Sequence, residues 1–315
     1  MSNYNFKKGI TFGSIGVITI GLQPIISIAR PSIIDPFLFA TMTALVEALI
    51  FFPLYLIERR RLIQNKKNAY DLQIRDSLIN GWKKKKNINL LITIGLMFSV
   101  VPTLLYIGFD IAGAINGSLT LKSEIIFALV FGIIFLKEKR ISKVQIIFCI
   151  VLFIGLLVAI TEGSFNLLEF NVGVIILTLS VVLFTFIHTF TKSGFDRNEL
   201  FPTQVIFVRN LMSGTILFLL YIIIFPIENL ELILDFENSI FFILMGFDYG
   251  LSLFLWYKTL TYIGIGKASI INSLTPIVSA FFAWIILGIV FTIFHLFGTL
   301  IVIFSIFIIV REEKD

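Results

Sequence analysis

The residues of this chain with chemistry to offer are polar and charged side chains stranded inside long apolar runs. Glu47 sits in ALVEALIFF, Lys122 and Glu124 in SLTLKSEIIFALV, Arg209 in VIFVRNLM and Asp248 in ILMGFDYGLSLF, with His188 and His295 in similar surroundings. A charge at bilayer depth costs about 2.5 to 3.5 kcal/mol on insertion scales, so it is kept where it faces a cavity or a partner. A carboxylate at that depth resists ionisation and is suited to taking up and releasing protons, which makes Glu47, Glu124 and Asp248 candidates for coupling. Lys122 and Glu124 lie two residues apart, about 200° around a helix, so they do not pair along one face. At least one must turn to another helix. Lys122 suits an anionic group of a ligand, or Asp248, while a carboxylate suits a proton or an amine; the competing reading is a Lys-carboxylate pair that only fixes packing.

Asn116 and Asn272 are further candidates, because an amide at bilayer depth hydrogen-bonds either a ligand or neighbouring backbone, and interhelical amide bonds are common glue. Tyr249, beside Asp248 and near the middle of its run, stands apart from Tyr106, Trp256, Tyr262 and Trp284, which suit an interfacial belt or a lipid-facing surface. His188 and His295 lie near the ends of their runs, as packing or interfacial histidines do. Glu47, Lys122, Glu124, Asp248, Tyr249, Asn116 and Asn272 are thus the candidates for binding and coupling, with no catalytic or metal set among them.

The elements that position these residues follow from composition. The chain has 315 residues, 57% of them hydrophobic, 35 Phe and only 14% charge, too little polar surface to cover a water-soluble globule. A hydrocarbon core about 30 Å thick takes about 20 apolar residues per helix. Spans are predicted near 9–29, 36–57, 89–109, 112–136, 143–161, 171–191, 202–226, 239–257, 267–288 and 291–310. The first run follows Lys7 and Lys8 as in a signal peptide, but it contains Gln23 and Pro24 and no small-residue cleavage site follows it, so it reads as the first helix. Cys149 is the single cysteine, which excludes an intrachain disulfide and a cysteine metal cluster.

The net charge of +5 reflects topology and not nucleic-acid binding, because Lys and Arg sit between the spans. With a cytoplasmic N-terminus, the inner segments hold Lys7, Lys8, the run from Arg59 to Lys86, Lys137, Lys139, Arg140, Lys143, Lys192, Arg197, Lys258, Lys267, Arg311 and Lys314. The outer loops hold Arg30 alone among basic residues and carry acids such as Asp35, Asp110, Glu169 and Glu228. Both termini are therefore expected inside, which requires an even number of spans. The long connection 59–88 carries Tyr70, Ile74, Leu78 and Trp82 at intervals of four, the pattern of a short amphipathic helix in the headgroup layer beside anionic lipid; a basic loop that only sets topology is the other reading.

An internal repeat organises the whole. Residues 106–120 read YIGFDIAGAINGSLT and residues 262–275 read YIGIGKASIINSLT, each followed by an apolar span, a tight break and another span. Two halves, 1–165 and 166–315, of five helices each are predicted, and an odd number per half inverts the second copy in the membrane. The break after the fourth span holds Lys137, Lys139, Arg140 and Lys143, whereas the one after the ninth, Gly288 to Thr292, holds none, as inversion requires. Pro24, Pro102 and Pro276 break hydrogen bonds inside spans one, three and nine, with Gly113, Gly117, Gly264 and Gly266 flanking the repeat helices.

These residues resemble the EamA family of the drug/metabolite transporter superfamily over nearly the whole chain. Leu136-Lys137-Glu138 with Ser142 and Gln145 is similar to the first copy of its motif, and Ala268, Leu274, Thr275, Pro276, Ala280, Ala283 and Leu287 to the second. The chain departs from the pattern at Glu124 and Ile125, near the first copy's Pro position, and at Ile289, near the second copy's Glu position. The resemblance implies an all-α integral membrane protein of ten helices in two inverted five-helix repeats, a central cavity lined by helices 3, 4, 8 and 9 with 1 and 6, and transport of amino acids, other metabolites or toxic compounds, often outward. It would make Lys122 or Glu124, and Asp248, wall residues.

No phosphate loop GxxxxGK[ST], HExxH or GxSxG occurs, so neither ATP drive by this chain nor those enzyme chemistries is expected, and no cofactor. The expected partners are a small-molecule substrate, a proton or exchange substrate, and membrane lipid; the expected place is the cell membrane. A lipid-modifying enzyme would show His and acid clustered at one face, and the chain has two His. A non-transporting receptor or scaffold is the remaining alternative, since a repeat is not a chemistry.

Overall fold

The computed structural model describes residues 3–64, 69–136, 142–163, 172–263, 268 and 271–312. The expectations placed on Lys137, Glu138, Lys139, Arg140, Glu169, Gly264, Gly266, Lys267 and Lys314 fall outside these residues. Among the described residues the regular structure is helical: α1 Asn3–Ala29, α2 Pro36–Gln64, α3 Ala69–Asn80, α4 Lys85–Phe98, α5 Val101–Ala112, α6 Ala114–Thr120, α7 Glu124–Leu136, α8 Lys143–Ile160, α9 Val172–Asp196, α10 Pro202–Ile224, α11 Phe236–Tyr262, α12 Thr275–Leu287 and α13 Ile293–Arg311.

In lipid a helix satisfies its own backbone, which is why uninterrupted apolar sequence takes this form. Among the described residues nine helical stretches, with α4–α5 counted as one and α6 with the start of α7 as another, are long and apolar enough to cross a membrane; Thr275–Leu287 is a shorter tenth. They occupy the ten predicted positions. Several run further than predicted, among them α1 from Asn3, α2 to Gln64, α9 to Asp196 and α11 to Tyr262. Large apolar side chains such as Leu49, Ile223 and Phe247 are exposed, the surface that lipid would cover. Helix starts carry their own caps. Asp35 accepts from the backbone N–H groups of Phe37 and Leu38, both at 2.9 Å, and capping boxes pair Ser142 with Gln145 and Thr292 with His295. Gly288, with φ of 67°, ends α12 in the left-handed conformation that a side chain disfavours.

The pairing of helices follows the two halves. Numbering the spans one to ten, the main contacts join span 2 with 7 (α2, α10), 5 with 10 (α8, α13), 1 with 8 (α1, α11) and 3 with 6 (α5, α9), followed by 1 with 9 (α1, α12), 2 with 8 (α2, α11), 3 with 7 (α4, α10), 4 with 6 (α7, α9) and 4 with 9 (α6, α12). Every such pair takes one helix from each half, and exchanging the halves turns the set into itself. The α8–α13 pair packs chiefly on itself at the edge of the bundle, where Gly155 and Gly298 let the backbones approach. The other spans enclose the centre.

The connection 59–88 is helical where described, in the end of α2, in α3 and in a 3-10 turn Gly81–Lys83. It ends against the turn between α9 and α10. Glu199 of that turn is buried, and accepts hydrogen bonds from Lys84 at 2.6 Å, Asn87 at 3.0 Å and Arg197 at 2.7 Å, with the Lys86 ammonium 3.1 Å away. Burial pushes the Glu199 carboxyl up, but the bonds from Lys84, Arg197, Asn87 and Lys86 outweigh it and hold the group well below the usual carboxylate range. At the same face Glu58 takes Thr203 at 2.7 Å and Lys258 at 3.0 Å. At the opposite face Arg30 grips Asp110 through two bonds of 2.8 and 2.6 Å, and Tyr221 donates to Asp35 at 3.0 Å.

Candidate functional site

The fourth and ninth spans are both interrupted near the middle. A 3-10 turn, Leu121–Ser123, separates α6 from α7, and a turn at 273–274 precedes α12. The second break has a cause in the sequence: Pro276 has no N–H, so the carbonyl of Asn272, four residues earlier, has no helical donor. The other half of the protein supplies one. Lys122, 2% exposed, donates from Nζ to that carbonyl at 2.9 Å, and the Thr275 hydroxyl adds a second bond at 2.7 Å. The Asn272 side chain then reaches back, its Nδ2 donating to Glu124 Oε1 at 3.1 Å and its Oδ1 accepting from Thr275 at 2.8 Å. Lys122 and Glu124 thus do not form an ion pair within 4 Å; each is held by a different end of one asparagine.

All three face one cavity of about 90 Å³. Its walls come from Ile20 and Gln23 of α1, Leu105 of α5, Phe184 and His188 of α9, and Tyr249, Ser252, Leu253 and Trp256 of α11. A smaller space of about 10 Å³, lined by Gly13, Gly16, Thr259 and Ala268, shares Ile20, Trp256 and Asn272 with it. The α11 residues fall at i, i+3, i+4 and i+7, one face of a helix, so this wall was present in the sequence as a pattern. An ammonium and a carboxylate two residues apart thus share this space with aromatic rings.

The other predicted residues divide. Tyr249 lines the cavity. Glu47 does not: its carboxylate takes Arg209 Nη2 at 3.0 and 3.3 Å, and both side chains are almost wholly buried. The guanidinium carbon lies 4.1 Å over the Phe98 ring and 5.6 Å from that of Tyr249. This is an ion pair with aromatic walls, joining span 2 to span 7. Asp248 is 6% exposed and is not among the cavity-lining residues; its Oδ2 has no hydrogen-bond partner, and neither it nor Lys122 is bonded to the other. The expected pairing of Lys122 with Asp248 is replaced by the Asn272 carbonyl. Asn116, the repeat mate of Asn272, lies in α6 with its Oδ1 3.3 Å from Nε2 of His295, the residue that caps α13.

Two residues read as packing or belt groups belong to the cavity. His188 lies deeper than the sequence suggests because α9 continues to Asp196, two turns beyond it. Its ring stacks on Phe98 and meets that of Phe184 at a tilt. Trp256 is a wall residue of both spaces, whereas Trp284 is 60% exposed on the outer surface. Tyr106 is buried against Phe39, and Tyr262 stacks on Phe12. Among the described residues no group of three His, Cys, Asp or Glu could hold a metal ion.

A bundle of ten apolar helices whose two halves meet around a buried polar cavity defines a polytopic membrane protein of the carrier class. The model of the EamA-like transporter family matches residues 7–161 and 171–311, and the chain belongs to that family, within the drug/metabolite transporter superfamily. It is 26% identical over 235 residues to an uncharacterized transporter of Methanothermobacter thermautotrophicus (strain ATCC 29096 / DSM 1053 / JCM 10044 / NBRC 100330 / Delta H), covering 74% of this chain and 67% of that one. It is also similar to a solved crystal structure described only as that of a protein, with a TM-score of 0.64 and 11% identity across 100% of both chains. That likeness concerns the fold.

Proposed function

We propose that the chain is a secondary transporter of small zwitterions, with α-amino acids as the cargo class, moving them outward by alternating access. One observation carries the reading: Lys122 and Glu124, buried in the same cavity, are bridged by Asn272 and leave each other free. A cargo carboxylate would displace the Asn272 carbonyl from the ammonium, and a cargo amine would meet Glu124. Phe184, Tyr249 and Trp256 would pack on its side chain. The two halves, 1–165 and 166–315, lie inverted in the cell membrane with both termini cytoplasmic and rock about this site, driven by a proton or by exchange. The basic face at Lys84, Lys86, Arg197 and Lys258 is then the inner one, with Arg30 and Asp110 outside.

Counterflow in proteoliposomes tests this. Vesicles loaded with a mixture of the proteinogenic amino acids should accumulate labelled members of that mixture, and the corresponding amines, lacking the carboxylate, should not compete. Equal competition by amines, or no counterflow, would refute the cargo class.

A further inference from the structure

Lys122 satisfies the carbonyl freed by Pro276, and the same backbone defect recurs in α1. Pro24 has no N–H, so the Ile20 carbonyl loses its helical donor, and Ile20 lines the cavity. What lies opposite follows from the packing of α1 on α11. A Cβ on Gly9 would touch Ile263, one on Gly13 would touch Thr259 and one on Gly16 would touch Leu255, so the helices run antiparallel with matched residue numbers summing to about 272. Thr259, Leu255, Ser252 and Asp248 form one seam of α11 at spacings of three and four. Continued along this seam, the register sets Asp248 level with Gln23 and Pro24. Asp248 is 6% exposed and its Oδ2 has no hydrogen-bond partner.

An ionised carboxylate in that position would cost several kcal/mol with nothing to offset it. The charged groups around it are committed elsewhere. Between Gly9 and Ala29, α1 carries no titratable side chain. From α2, Glu47 packs near Gly250 but is closed on Arg209 of α10, and Arg209 lies over Tyr249. From α9, His188 faces the cavity, and Glu228 and Glu231 lie in the 3-10 turn before α11, more than three helical turns from Asp248. We propose that Asp248 is a proton-binding site separate from the Lys122–Asn272–Glu124 site, loaded and unloaded from the edge of the cavity beside the Ile20 carbonyl that Pro24 leaves without a helical donor. The proposal deepens the transport reading: cargo and driving ion would occupy different helix seams, with Ser252, which borders both, between them.

Two measurements on the full chain in lipid vesicles decide it. Infrared difference spectra of wild type against D248N should show the C=O band of a protonated carboxylic acid near neutral pH, lost in the variant. A spectrum unchanged by D248N overturns the proposal whether or not any cargo has been found. For wild-type vesicles and the amino-acid mixture, an imposed pH gradient should drive uptake above the counterflow level, whereas uptake by D248N should lose all response to the gradient and D248E should regain it. A gradient response retained in D248N, or wild-type uptake that follows a sodium gradient in place of a pH gradient, also overturns it. Absence of amino-acid counterflow in the wild type would count against the cargo reading alone, because the infrared result stands without it.

Discussion

Arg209 with Glu47, and Lys122 with Glu124, are two buried sets of opposite charges on either side of the Tyr249 wall, and they are arranged in opposite ways. In the first, cation and anion meet directly at 3.0 Å with aromatic rings over the guanidinium. In the second, an asparagine stands between them, the contacts are to its backbone carbonyl and side-chain amide, and all three groups open to a cavity. Arginine suits the first role because its planar fork matches a carboxylate and stacks on rings; lysine, a flexible point charge, suits exchange of one acceptor for another. The difference separates a brace from the proposed binding site, although sequence alone offers both as charges at bilayer depth.

The largest expected effect would come from breaking the brace. Arg209→Met leaves Glu47 buried without its cation and should destabilise the fold by about 3 to 5 kcal/mol, read as a large fall in thermal midpoint in detergent. Replacing both, as E47L/R209M, should recover most of that loss. Next comes the cavity: K122M or E124Q should lower counterflow by about 10- to 100-fold, the worth of one charge-assisted hydrogen bond of about 1.5 to 3 kcal/mol, with a smaller change in midpoint than the brace variants show. Asn272→Ala should cost transport about tenfold, whereas Asn116→Ala, which loses only the contact to His295, should alter stability by about 1 kcal/mol and leave transport alone.

The smallest effect concerns the face remote from both sets. Glu199 has a folded-state pKa below its unfolded value of about 4.3, so the stability it contributes is fully present above that value and is lost as pH falls below it. Thermal midpoints should therefore be flat near neutral pH and drop in the acid range, and E199Q should be less stable than wild type at neutral pH with a shallower acid drop.

The ten spans and the two-copy repeat were legible because hydrophobic length and the shared YIG…SLT pattern are local properties of the chain. So was the orphaned carbonyl at Asn272, since proline four residues on removes its donor whatever the fold. The partners were not. Arg209 and Glu47 are 162 residues apart and meet because span 2 pairs with span 7, a fact of topology that neither run announces. Lys122 and Asn272 are separated by 150 residues, and the sequence offered the charged Asp248 as the more obvious acceptor. His188 was misplaced by the underestimated length of α9, and Trp256 by reading each aromatic singly when Tyr249, Ser252, Leu253 and Trp256 together trace a cavity face.

On the proposed reading the cavity set binds cargo and the paired set only braces the bundle. Counterflow of the amino-acid mixture into proteoliposomes bearing E47L/R209M or K122M, compared with wild type at equal amounts of folded protein, puts it to the test. E47L/R209M should transport within about threefold of wild type while K122M is reduced by at least about tenfold. Loss of transport in E47L/R209M with transport retained in K122M would contradict it.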